Sequence, residues 1–139
     1  MFQNPTDVQI KELLQKANTV AVVGLSDKPE RDSHKVAKYL QGKGYKIIPV
    51  NPKYDSVLGE KCYKKVSEIP EQVDIVDVFR RSIDTPPVVD DAISIKPAAI
   101  WLQLGIVNED AANTAQQNNL MIIMDRCIKV DHAKLLGDQ

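Results

Sequence analysis

Five short runs rich in valine and isoleucine recur along this chain about 25 residues apart, and that spacing constrains the fold more than any other feature. They are Thr19-Val-Ala-Val-Val-Gly24, Lys46-Ile-Ile-Pro-Val-Asn51, Asp74-Ile-Val-Asp-Val-Phe79, Ala98-Ala-Ile-Trp-Leu102 and Leu120-Met-Ile-Ile-Met124. Parallel strands cannot be joined by a tight turn, because the chain must cross back over the sheet, usually as a helix. A strand every ~25 residues with helical periodicity in each gap therefore predicts right-handed βαβ units. The runs are almost continuously apolar, as strands covered on both faces must be. The expected fold is α/β, a three-layer doubly wound domain on a five-stranded parallel sheet, and 139 residues suffice for a single domain over 1–139.

The gaps carry helix signals. Thr6 with Gln9 forms a capping box, and Ile10, Leu13, Leu14 and Ala17 follow on one face. Ser33 is expected to cap a second helix that buries Val36, Ala37 and Leu40 and stops at Gly42 or Gly44. Thr85-Pro86 opens a third, with Val88, Val89, Ala92 and Ile93 inward, and Asn108 before Glu109 and Asp110 caps a fourth. Asp131 is expected to cap a short last helix through Leu136.

In such a sheet the ligand crevice lies beyond the carboxyl ends of the strands, where strand order reverses. The loop after the first strand, Gly24-Leu-Ser-Asp-Lys-Pro-Glu-Arg-Asp-Ser33-His34, has only Gly24 in the frame of a G-x-G-x-x-G dinucleotide loop. It offers instead hydroxyls at Ser26 and Ser33, cations at Lys28 and Arg31, and a helix start near His34, which are parts of a phosphate site. The same composition suits an ordinary solvated loop. NAD-binding domains place an acid at the end of the second strand for the ribose hydroxyls. Here stands Asn51-Pro52-Lys53, which favours a ribose bearing an extra phosphate, as in coenzyme A or NADP; a surface turn lysine is the alternative.

The third strand ends in Phe79-Arg80-Arg81, cations that either fork onto phosphate oxygens or pair with acids such as Asp84. Trp101-Leu-Gln-Leu-Gly105 leads into the helix capped by Asn108, and Asp125-Arg126-Cys127 follows the fifth strand. Four of the five strand ends thus carry a cation or an exposed helix start, in a chain whose net charge is −1. That concentration points to a polyphosphate ligand, while the near-neutral balance argues against nucleic acid. No run reaches the length of a membrane span and no secretory leader is apparent, so a cytoplasmic protein is expected. Two cysteines and two histidines, with no CxxC, supply too few ligands for a metal site. Cys62 reads as a buried small hydrophobe, and Cys127, beside Arg126, as either that or a reactive thiol.

Gly24-Leu-Ser-Asp-Lys-Pro with Arg31-Asp-Ser33, Val50-Asn-Pro-Lys53, Val76-Asp-Val-Phe-Arg80, Trp101-Leu-Gln-Leu-Gly105 and Met124-Asp-Arg-Cys127 together resemble the small stand-alone CoA-binding proteins, which are similar to the N-terminal CoA-binding domain of the succinyl-CoA synthetase α subunit. The likeness runs from about residue 7 to residue 136 with the motifs in family order. It implies a Rossmann-like domain that binds coenzyme A, with Gly24, Leu25, Ser26, Lys28, Arg31, Ser33 and His34 as its first-loop site and Pro52 and Lys53 toward the ribose phosphate. Phe79, Arg80 and Gln103 would line the way to the pantetheine arm, and Arg126 and Cys127 occupy the place of the synthetase's Asn-Cys pair. That synthetase segment, Pro-Asn-Cys-Pro, is Asp-Arg-Cys-Ile here, and the synthetase's histidine chemistry lies on further domains.

The expected function is accordingly CoA or acyl-CoA binding without independent ligase activity or catalytic residues. The protein partner would be a second copy or an acyl-CoA enzyme. The alternatives are a small enzyme acting on a CoA thioester or using an NADP-type dinucleotide, with Cys127 as nucleophile, and a structural partner protein with a vestigial cleft.

Overall fold

The computed structural model describes residues 2–137. Helix α1 (Asp7–Lys16) precedes strand β1 (Thr19–Val23), followed by α2 (Asp32–Gly42) and β2 (Lys46–Val50). A two-stranded hairpin, β3 (Ser56–Val57) with β4 (Glu60–Lys61), and a 3-10 turn at Val66–Glu68 lead to β5 (Ile75–Val78). Then come α3 (Thr85–Ile93), β6 (Ala99–Leu102), α4 (Glu109–Gln117), β7 (Met121–Ile123) and α5 (Ile128–Leu136).

The five long runs form one all-parallel sheet in the order β2-β1-β5-β6-β7. Alternate residues along each strand feed opposite cores. Val20, Val22, Ile47, Ile75, Trp101 and Ile123 meet the inner faces of α1, α2 and α5. Ala21, Val23, Ile48, Val50, Val76, Val78 and Ile100 meet α3, α4 and the 3-10 turn. The chain leaves β1 toward β2 on one side, then crosses back over β1 to place β5 on the other. The order therefore reverses between β1 and β5, which makes the ends of those two strands the switch point of the sheet.

Three local expectations change. The crossover between β2 and β5 carries the hairpin and the 3-10 turn rather than an α-helix. The hairpin side also shields the sheet edge, since Tyr63 N donates to the Pro49 carbonyl at 3.0 Å and Asn51 N to the Tyr63 carbonyl at 2.8 Å. Ser33 is not a helix cap: α2 begins at Asp32 with Arg31 before it, and the Ser33 hydroxyl accepts instead from Ser26 N at 3.0 Å. Nor does Asp131 cap α5, which starts three residues earlier behind Cys127; Asp131 lies within the helix, 2.8 Å from Arg126 Nε. The caps at Thr6 and Asn108 form as expected, with Gln9 N on the Thr6 hydroxyl at 3.2 Å and Ala111 N on Asn108 Oδ1 at 2.9 Å. Among the described residues no helix is long and apolar enough to cross a membrane.

Candidate functional site

The switch point opens into a cleft of about 420 Å³ lined by Gly24, Ser26, Lys28, Arg31, Asp32, Ser33, Asn51, Lys53, Tyr54, Phe79 and Arg80. Its shape starts at Gly24. The Gly24 amide donates to the Val50 carbonyl at 2.8 Å, and φ of 85° turns the chain sharply off the sheet. A β-carbon there would collide with the Phe79 carbonyl oxygen and come within 2.5 Å of Arg80 Nη1. Only glycine lets β1 and the end of β5 approach this closely.

The loop beyond is held by its own polar groups. Ser26 N donates to Ser33 Oγ at 3.0 Å, Lys28 N to Ser26 Oγ at 3.1 Å, and the buried His34 ring meets the Ser26 carbonyl through Nδ1 at 2.9 Å. Facing a carbonyl oxygen, that nitrogen carries the hydrogen. His34 therefore stands behind the loop as a brace rather than in the cleft. Leu25 is fully buried in the core under α2. The first helical hydrogen bond of α2 runs from Lys35 N to the Arg31 carbonyl, which leaves the amides of Asp32, Ser33 and His34 without helical partners at the positive end of the helix dipole. Such an end is a ready anion site.

Asn51 joins the two loops. Buried to 7% exposure, it donates from Nδ2 to the Leu25 carbonyl at 3.1 Å, while its Oδ1 accepts Lys53 N at 3.0 Å. The Cys62 thiol donates to the Asn51 carbonyl at 3.3 Å, and burial pushes that thiol's pKa up. Lys53 thus projects from a turn fixed at both ends. Lys28, Arg31, Lys53 and Arg80 all reach the cleft, and none has a carboxylate within ion-pair distance among the described residues. By contrast Arg81 bonds to Asp84 at 2.9 Å, well out in solvent. Among the described residues, Asp32 supplies the one carboxylate on the cleft wall.

Two hollows adjoin the cleft. One, about 350 Å³ on the α3 side, is walled by Val23, Val50, Pro52, Val66, Pro87 and Val88, with Lys64, Lys65 and Arg80 at its edge. Pro52 therefore faces this hollow while Lys53 faces the cleft. The other, about 370 Å³ on the α5 side, shares Asp32 and Phe79 with the cleft and continues past Gln103 to Cys127. Gln103 is 4% exposed and accepts Ile128 N through Oε1 at 3.2 Å, fixing the start of α5. Arg126 does not reach the cleft. Its guanidinium is bound by Asp131 at 2.8 and 3.0 Å and by Asp7 at 3.2 Å, while its carbonyl accepts Trp101 Nε1 at 2.7 Å. Asn51, Tyr54 and Asp32 are the cleft residues that sequence reasoning did not single out as ligand contacts.

Four cations thus gather at a cleft that two partly apolar hollows adjoin. The sequence model for a CoA binding domain matches residues 18–133. The chain belongs to the CoA-binding domain family. The Bacillus subtilis protein YneT is 47% identical over 132 residues, spanning 95% of this chain and 98% of that one. An ADP-forming acetate–CoA ligase of Methanocaldococcus jannaschii is 33% identical over 73 residues, 52% of this chain but 10% of the ligase. Among solved structures, a Pyrococcus horikoshii protein superimposes with a TM-score of 0.93 at 39% identity over 99% of both chains. A Thermus thermophilus protein gives 0.91 at 31% identity over 94% of this chain and 99% of that one. Small stand-alone proteins and ligase domains thus share this CoA-binding fold.

Proposed function

We propose that this chain binds coenzyme A or an acyl-CoA at the β1–β5 switch point, without ligase chemistry of its own. The observation that carries the reading is the set of four cations, Lys28, Arg31, Lys53 and Arg80, that have no carboxylate partner among the described residues and surround a helix start with free amides. Cations left without carboxylates in a near-neutral chain are set for an anion of several charges, and each forms a charge-assisted hydrogen bond when phosphate arrives.

The pyrophosphate lies against the α2 amides with Lys28 and Arg31, held by oriented dipoles as well as charge. Lys53 meets the ribose 3′-phosphate from its fixed turn. The adenine occupies the apolar hollow beneath Pro52 and Val66, with Arg80 between ring and phosphates, and the pantetheine arm leaves along Phe79 and Gln103.

Thermal unfolding with CoA, dephospho-CoA, acetyl-CoA, NADP and NAD tests the reading. A ligand at ~100 times its dissociation constant adds about 2.7 kcal/mol, which for a domain of this size raises the midpoint by roughly 5 to 11 °C. A shift with CoA that shrinks with dephospho-CoA supports it and assigns a cation to the 3′-phosphate. A shift with NADP or NAD but with no CoA form overturns it. In Lys53→Glu the CoA shift should collapse; an unchanged shift removes Lys53 from the site.

A further inference from the structure

The hollow on the α5 side is not built like the cleft it joins. Val36, Phe79, Leu104, Ile106 and Val130 give it an apolar wall, and its side chains leave more carbon than polar surface to be covered. Leu104 is 68% exposed and Val130 59%. Leu104 lies two residues beyond the end of β6 and Val130 sits in the first turn of α5, so both flank the way out from the carboxyl end of the sheet. They are large apolar side chains left uncovered at the far end of a channel whose near end is cationic.

We propose that this hollow is an acyl site, which takes the uncharged hydrocarbon chain of an acyl-CoA thioester and so makes the protein selective for acyl-CoA over free CoA. The proposal rests on the CoA reading above and deepens it. Continuity argues for this occupant: Asp32 and Phe79 are walls of both the cleft and the hollow, so a molecule anchored by its phosphates has its other end delivered past Phe79. Chemistry argues for it as well. A pantetheine arm is polar at its two amides, whereas Leu104, Ile106 and Val130 offer nothing to an amide and gain only from covering hydrocarbon. The two lysines of the hollow, Lys35 and Lys129, make a chain ending in a carboxylate the competing occupant. Lys129 is already placed over the Tyr39 ring, with Nζ 5.5 Å from its centroid.

Calorimetric titration with CoA, acetyl-CoA, butyryl-CoA, hexanoyl-CoA and succinyl-CoA tests this. Full burial of a methylene strengthens binding about fourfold, and a groove covering about half of each carbon gives roughly twofold, so hexanoyl-CoA should bind on the order of tenfold more tightly than acetyl-CoA. Leu104→Asn with Val130→Asn replaces two exposed side chains by neutral polar ones. In that variant the ratio of hexanoyl-CoA to CoA affinity should fall close to one. Equal affinity for all the thioesters overturns the acyl site while leaving CoA binding intact. A chain-length gradient that survives in the double variant, or tighter binding of succinyl-CoA than of the equally long butyryl-CoA, overturns it too. No binding of any form, CoA included, overturns both readings.

Discussion

Asn51 Nδ2 donates to the carbonyl of Leu25 across 3.1 Å, and this single bond ties the loop after β1 to the turn after β2. The two loops carry cleft-lining cations, Lys28 and Arg31 on one and Lys53 on the other. Without Asn51 the Leu25 carbonyl and the Lys53 amide both lose their partners in a largely buried place. Asn51→Ala should therefore cost about 1–3 kcal/mol of stability by chemical denaturation. It should also weaken CoA binding at temperatures where the variant is still folded, because the cations are no longer held in register. Stability loss with unchanged affinity would mean that each loop keeps its shape alone.

Gly24 and Gly44 offer a matched pair. Both have positive φ, 85° and 97°, but an added β-carbon meets nothing within 4 Å at Gly44 and strikes Phe79 and Arg80 at Gly24. Gly44→Ala should show only the backbone cost, about 1–2 kcal/mol. Gly24→Ala adds the collision with a strand-end carbonyl that cannot move freely. It should lose more stability than Gly44→Ala and, by displacing Arg80, should also lose CoA affinity. Equal effects of the two would show that β1 and β5 can separate at little cost.

Asp77 predicts an unusual pH dependence. It lies mid-sheet between Val22 and Trp101, fully buried, with neither carboxylate oxygen hydrogen-bonded among the described residues. Burial pushes its pKa well above the usual carboxylate range. The folded state therefore keeps a proton that the unfolded chain releases above about pH 4. With more protons bound in the folded state, this group's contribution to stability falls as pH rises, by at most about 1.4 kcal/mol per pH unit, until the folded-state pKa is passed. Asp77→Asn removes the titration. Unfolding midpoints from pH 4 to 8 should show the variant gaining on the wild type steadily with pH; a constant difference would mean that Asp77 is ionised in the fold.

Much of this architecture was legible beforehand because its signals are local and redundant. The apolar runs match the strands to within one residue at each end, since a segment buried on both faces carries no polar alternation. Gly24, Lys28, Arg31, Lys53, Phe79 and Arg80 lie at or beyond the ends of the first three apolar runs, and these strand ends meet at the cleft. What failed was the choice between competing uses of one side chain. Ser33 suits a helix cap by type, yet its hydroxyl closes the loop onto Ser26, a bond across seven residues that propensity does not encode. Arg126 follows a strand end like the other cations, but Asp7 and Asp131 reach it from α1 and α5, helices whose packing the sequence does not display. Asn51 was visible only as part of a turn; its bond to Leu25 depends on two strands lying side by side.

The two thiols should separate cleanly by reactivity, and their separation reports on the route past Phe79. Cys62 is buried, donates to the Asn51 carbonyl and has its pKa raised by burial, so little thiolate is available for alkylation. Cys127 is half-buried and lines the α5-side hollow. Iodoacetamide at neutral pH should therefore modify Cys127 first, seen as a single added mass located to the peptide containing it, while Cys62 reacts only on unfolding. Bound acyl-CoA should slow Cys127 labelling more than an equally saturating amount of 3′,5′-ADP, which holds the phosphate cleft but carries no arm. Equal protection by both would place the thiol outside the path of the arm and send the acyl end elsewhere; prior labelling of Cys62 would show that the turn around Asn51 opens in the folded protein.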